Sequence, residues 1–166
     1  MSVTFVLVPA LIGAIAAAAS GGAATVGIGA TVAGLVRGGK GAPVQVQTRM
    51  KDVGLLQGAL SDCGATNLTM TDGMLVATLG DTQLTMSRGD DGIWTAHFEA
   101  LRGGEVDEEA MLEIVQDLDA KYALRVQAAV ADRIRERAGS AGLDLVQESR
   151  DDDETVTMLL TVRDEV

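Results

Sequence analysis

The chain is poor in the residues from which most active sites are built. It has one histidine, His97, and one cysteine, Cys63. A lone histidine with no Cys/His cluster at ligand spacing makes a poor metal site. A single cysteine excludes an intramolecular disulfide and fits a reducing compartment. Aromatic residues are as scarce: Phe5, Trp94, Phe98 and Tyr122 are the only four among 166 residues. They offer no platform on which nucleobases would stack, and the core has to be filled by Leu, Val, Met and Ala. Charge is missing altogether from Val3 to Val36. Elsewhere it is uneven. Residues 1–41 hold two of the thirteen basic residues, Arg37 and Lys40, and no acid; the remaining eleven against twenty-four Asp and Glu give residues 42–166 a charge of −13. A segment this acidic repels phosphate backbones, which excludes nucleic acid as a partner.

The uncharged stretch is filled with small and apolar residues. Val3, Phe5, Val6, Leu7, Val8, Leu11, Ile12 and Ile15 crowd its first half, and Val26, Ile28, Val32, Leu35 and Val36 are spread among glycines in the second. About 20 apolar residues suffice to cross a bilayer as a helix. One row of small residues recurs every four positions: Gly13, Ala17, Gly21, Thr25, Gly29, Ala33. A second row is Ala10, Ala14, Ala18, Gly22. On a helix such rows form a flat ridge where another backbone can approach closely. Self-association through Gly13, Ala17, Gly21, Thr25 and Gly29 is therefore expected. In water each of these glycines would cost a helix on the order of 1 kcal/mol relative to alanine, whereas lipid removes the competing water.

Three readings fit this arm. It is a membrane helix, or a short re-entrant hairpin turning at Ser20-Gly21-Gly22. It is a signal peptide cleaved after Ala19. Or it is a soluble arm packed in a homo-oligomer or on a partner. The first is preferred to the second, because no Lys or Arg precedes the apolar run and the mature chain would begin with another apolar stretch. Arg37, Lys40, Arg49 and Lys51 all follow the arm, which predicts a cytoplasmic C-terminal domain in a membrane protein. Residues 38–43 read as a flexible linker. The expected division is an arm at 1–37, the linker, and an acidic domain at 44–166.

Within that domain the periodicities are regular. Val44–Thr48 alternates as a strand does. Met50–Cys63 places Val53, Leu56, Ala59, Leu60 and Cys63 on one helical face and stops at Gly64. Leu68–Met70 and Met74–Leu79 flank Asp72-Gly73, a tight-hairpin signal; Thr82–Ser87 and Ile93–Glu99 continue the meander. A long helix follows from an N-cap at Asp107 to about Ala138, with an apolar stripe at Met111, Ile114, Val115, Leu118, Tyr122, Val126, Ala129, Val130 and Ile134. Arg133, Arg135 and Arg137 complement its dipole and read as spread around it, with no basic face. Leu143–Glu148 and Thr155–Arg163 close the chain as strands. The fold class is α+β: an antiparallel sheet with two helices on one face, in the order β-α-ββββ-α-ββ, preceded by a hydrophobic N-terminal helical arm.

No motif in this order carries chemistry. His97 reads as an ordinary strand residue and Cys63 as a packing residue. Ser20 and Ser61 lack the context of a nucleophile elbow. Asp151-Asp152-Asp153-Glu154 lacks the alternation and glycine of a calcium loop and reads as a solvated turn. Asp107-Glu108-Glu109 reads as a helix start. Gly27-x-Gly29 has no strand before it and no Lys-Ser/Thr after it, so it is no phosphate loop. Neither a cofactor nor a metal is expected, and the reading is non-enzymatic.

Three stretches together resemble one family. They are Gln47-Thr48-Arg49-Met50-Lys51-Asp52, continuing through Leu55-Leu56 to Ala59-Leu60-Ser61-Asp62-Cys63-Gly64; Lys121-Tyr122-Ala123-Leu124-Arg125-Val126; and Gly142-Leu143-Asp144-Leu145 with the Thr155–Arg163 strand. Over roughly residues 44–163 the chain resembles the uncharacterised family of the hypothetical chloroplast reading frame thirty-five, of plastids, cyanobacteria and other bacteria. The arm is an addition to that pattern. Leu124 stands where the family often has histidine, and its tryptophan-rich segment is missing. The resemblance implies a partner protein, an AAA-type ATPase, and no reaction. The expected function is thus a membrane-anchored, self-associating module whose acidic cytoplasmic domain binds a protein. The alternative is a membrane-perturbing, pore-forming effector whose arm is shielded until triggered.

Overall fold

The computed structural model describes residues 2–9, 35–36, 44–103 and 108–163. The chain is α+β, with two antiparallel sheets and two α-helices among these residues. In chain order the elements are β1 (Ser2–Leu7), β2 (Leu35–Val36), β3 (Val44–Gln47), α1 (Val53–Asp62), β4 (Thr66–Thr71), β5 (Met74–Leu79), β6 (Thr82–Arg88), β7 (Trp94–Ala100), α2 (Glu108–Ala138), a 3-10 turn (Gly139–Ala141), β8 (Leu143–Arg150) and β9 (Val156–Val162). They fall into two compact units that divide α2 between Tyr122 and Ala123.

The six-stranded unit has the order β2-β3-β7-β6-β5-β4. Its register follows from turn chemistry and strict alternation. Asp72 and Gly73 both adopt positive φ, 51° and 77°, as a two-residue turn of the type that matches strand twist requires. Thr71 then pairs with Met74. Along β5, β6 and β7 every second residue is buried: Leu75, Ala77 and Leu79, then Leu84 and Met86, then Trp94, Ala96 and Phe98. Leu84 lies opposite Phe98 and Ala77, and Met86 opposite Ala96 and Leu75, so one face of the sheet is continuous and apolar. Val46 of β3, Met50 ahead of α1, Leu56, Ala59 and Leu60 of α1, and Met111, Val115, Leu118 and Tyr122 of α2 are buried in this unit as well.

Helix α1 is shorter at its start than the expected Met50–Cys63. The Asp52 side chain accepts a hydrogen bond from Leu55 N at 2.9 Å, which makes Asp52 the N-cap and leaves residues 49–52 outside the helix. At the other end Ala65 N donates to Leu60 O and Gly64 N to Ser61 O, the paired bonds of a left-handed helix stop. Gly64 has φ 79°, where a side chain would be strained.

The three-stranded unit has the order β1-β9-β8. Two expectations change here. The strands form two sheets, not one sheet under two helices. And Ser2–Leu7, read as the start of a helical arm, is a strand. Phe5 pairs with Met158, Val3 with Leu160 and Leu7 with Val156. Residues directly opposite one another share a face. The alternating Val3, Phe5 and Leu7 therefore lie on the same face as Leu160, Met158 and Val156, with Leu7 packed against that core and Val3 and Phe5 left 41% and 37% exposed. Val156, Met158 and Leu160 pack with Ala131, Ala138, Ile134 and Leu143 into this unit's core. Among the described residues, β1 is thus part of the same sheet as β8 and β9.

Candidate functional site

The residues expected to mediate self-association, Gly13, Ala17, Gly21, Thr25 and Gly29, lie outside the described residues, as do the linker at 38–43 and the expected N-cap Asp107. No described helix is long and apolar enough to cross a membrane. Among the described residues no group of three His, Cys, Asp or Glu side chains could hold a metal ion.

The motif residues near Arg49 and Tyr122 do meet in space. Tyr122 Oη accepts hydrogen bonds from both Lys51 N and Asp52 N, each at 3.1 Å. Arg49 holds the Asp119 carboxylate with both arms of its guanidinium, Nε to Oδ1 at 2.7 Å. Trp94 N donates to Met50 O at 2.9 Å and Trp94 Nε1 to Lys51 O at 3.4 Å. Every one of these bonds ties down the turn between β3 and α1. Together they act as a clamp for that turn. Tyr122→Phe would strand two backbone donors next to the core. It should cost about 2 kcal/mol, seen as a lower midpoint in urea with the same slope; an unchanged midpoint would show that water replaces the phenol.

Cys63 sits half-buried at the end of α1. Burial first, then a hydrogen bond to Asp117 and the charge of that carboxylate, push its thiol up to about 12. The thiolate is the nucleophile, so this cysteine is inert at neutral pH. Alkylation by iodoacetamide at pH 8 should run roughly 100-fold slower in the folded chain than in urea; equal rates would refute this. His97 lies on β7, half-buried, with Nε2 3.3 Å from Ser87 Oγ. The acidic turn after β8 is built by Asp153 Oδ1, which accepts from Thr155 N at 3.0 Å, and by Arg150 bonding Glu154 at 2.8 Å. The Asp153 and Glu154 carboxylates thus serve the turn.

Two features of the three-stranded unit were not foreseen. The first is Gln127, fully buried on α2. Its Nε2 donates to Leu7 O at 2.7 Å and to Glu154 O at 2.6 Å, so one side chain binds the end of β1 and the β8–β9 turn. Its Oε1 has no partner among the described residues. Searching for apolar stripes passes over a glutamine; the only sequence signal is that Gln127 lies three and four residues from Leu124, Ala123, Val130 and Ala131.

The second is a pocket of about 290 Å³. Helix α2 lines it with Val130, Arg133, Ile134, Arg137 and Ala138, positions three and four apart on one face. Phe5 of β1, Leu143 of β8 and Leu160 of β9 supply the other walls, with Ala141 from the 3-10 turn. The lining is almost wholly apolar apart from its two arginines. Arg133 and Arg137 therefore share a face, while the three arginines together form no single basic face. Arg135 alone points elsewhere, bound to Asp132 and to Glu148. Neither Arg133 nor Arg137 has an ion-pair partner among the described residues, whereas Arg49, Arg102, Arg135, Arg150 and Arg163 all do.

No family model, no curated protein and no solved structure matches the chain.

Proposed function

We propose that the protein is a non-enzymatic, membrane-associated module that dips residues 10–34 into a bilayer from one side and keeps its acidic remainder on that same side, in the cytoplasm. One observation carries this reading: strands flank the uncharged segment at both ends. β1 before it is bound to β9, and β2 after it to β3. A single crossing would put β1 with β9 on one face of the membrane and β2 with β3 on the other, and the charged chain between β3 and β9, α2 included, would have to cross back. With Glu113, Asp117, Asp119, Lys121 and Arg125 along its length, it cannot do so without stranding charges in hydrocarbon. Two full crossings would need about 40 residues, and residues 10–34 number twenty-five. A re-entrant hairpin is the form that satisfies both limits.

Two copies would associate through the small-residue row Gly13, Ala17, Gly21, Thr25 and Gly29. The charge of −13 on residues 42–166 favours a basic partner surface, and the resemblance over residues 44–163 supplies an AAA-type ATPase as its class. The test compares the full chain with one in which residues 10–34 are replaced by a Gly/Ser linker of equal length. The full chain should float with liposomes in a density gradient, and the linker variant should stay at the bottom with its Trp94 emission unchanged. A full chain that stays at the bottom would sink the proposal. Leakage of a trapped dye would move the reading to the pore-forming alternative. Gly21→Ile should still float, while cross-linking between copies falls.

A further inference from the structure

We propose that the pocket between α2 and the three-stranded sheet binds a single-chain aliphatic carboxylate, with its alkyl chain among Phe5, Ile134, Leu143 and Leu160 and its head group on Arg133 and Arg137. Three features of this one site point to such an occupant. Its volume, about 290 Å³, stands at the lower edge of the range of small-molecule sites, roughly 300–1,000 Å³, and suits a chain of medium length. Its walls are almost entirely hydrocarbon, so an occupant gains by leaving water with its apolar part only. Its two cations have no carboxylate partner among the described residues of a chain whose net charge is −11, whereas most other described arginines have one.

Charge selects among occupants. Residues 10–34 contain no acid, so the chain's own apolar segment would fill the walls and leave both guanidinium groups without a partner. A neutral lipid would do the same. A carboxylate at the mouth satisfies both: the four-residue spacing of Arg133 and Arg137 puts them one turn apart on the helix, and guanidinium groups bind carboxylates through paired, charge-assisted hydrogen bonds. The inference does not depend on membrane insertion, since every residue it uses lies outside residues 10–34.

Titration calorimetry of the full chain with dodecanoate, below its micelle concentration, tests it. One molecule should bind per chain. Decanoate should bind roughly tenfold more weakly, as expected for the loss of two buried methylenes. Dodecanol should bind about tenfold more weakly for want of the charge. The double variant Arg133→Gln/Arg137→Gln changes two exposed side chains and should fold normally; it should weaken dodecanoate to the level of dodecanol and leave dodecanol unchanged. Ala141→Phe, which fills the pocket from its rim, should abolish both. Equal binding of dodecanoate and dodecanol would overturn the proposal, as would binding that survives Ala141→Phe, which would belong to residues 10–34 instead. Binding seen only after those residues are replaced by a linker would also overturn it, and would make the chain's own segment the occupant. So would uptake only from phospholipid vesicles, which would point to a bilayer lipid.

Discussion

A chain that begins at Ala42 is expected to lose the two-residue edge strand β2, to keep the other five strands of that sheet, and to lose the order of β8 and β9. Periodicity alone made the segment after the linker look self-sufficient. The register of β1 on β9 runs through six residue pairs, from Ser2 with Thr161 to Leu7 with Val156. Without β1, β9 becomes an edge strand of a two-stranded hairpin held only by its packing on α2, where a hairpin alone is marginally stable in water. Gln127 would also lose one of the two carbonyls it holds. Trp94, buried in the other unit, should keep its emission. Amide exchange in β9 should accelerate by roughly 100-fold or more as that sheet opens. Unchanged protection in β9 would show that β1 adds nothing to the unit. Gln127→Ala in the full chain should act in the same direction by about 2 kcal/mol, because two carbonyls lose a buried donor.

Leu118→Asp should unfold the six-stranded unit. Leu118 is 1% exposed on the face of α2 that carries Met111, Val115 and Tyr122. The change removes a buried leucine, worth about 2–5 kcal/mol, and adds the cost of burying a carboxylate that has no partner. Against a total of about 5–15 kcal/mol for a typical domain, the loss takes most or all of the stability. Trp94 emission should shift to the red at room temperature, or the midpoint should fall by roughly 20 °C or more. A midpoint within a few degrees of the parent would mean that this helical face is not packed as described.

The parts of the fold governed by local rules were legible in the sequence. Asp72-Gly73 marked its turn because few residue pairs tolerate two positive φ angles. Gly64 marked the end of α1 for the same reason. The alternation along Thr82–Ser87 and Ile93–Glu99 marked strands buried on one face. The start of α1 was misjudged because Tyr122, about 70 residues further along the chain, takes the N–H groups of Lys51 and Asp52, and no local pattern records that. The division into two sheets was hidden for a related reason. Ser2–Leu7 alternates over too few residues to stand out from the apolar run that follows it, and its partner strand is the last in the chain. The candidate site was barely legible. Arg133 and Arg137 were seen as helix-end charges, although their spacing from Val130, Ile134 and Ala138 was already that of a single face. A buried glutamine carries no sequence signal of its own, since its burial is decided by two carbonyls on distant segments.

The pairing of β1 with β9 also sets a timetable for synthesis. Leu7 waits for Val156, and at about 5–20 residues per second the chain between them takes roughly 7–30 s to make. For that interval the first strand has no place to go, and the uncharged residues behind it leave the ribosome with the sheet still unfinished. A membrane, a chaperone or a second nascent chain can meet residues 10–34 long before the fold can. The route by which this protein reaches its final state is therefore decided early, while the acidic remainder is still being translated.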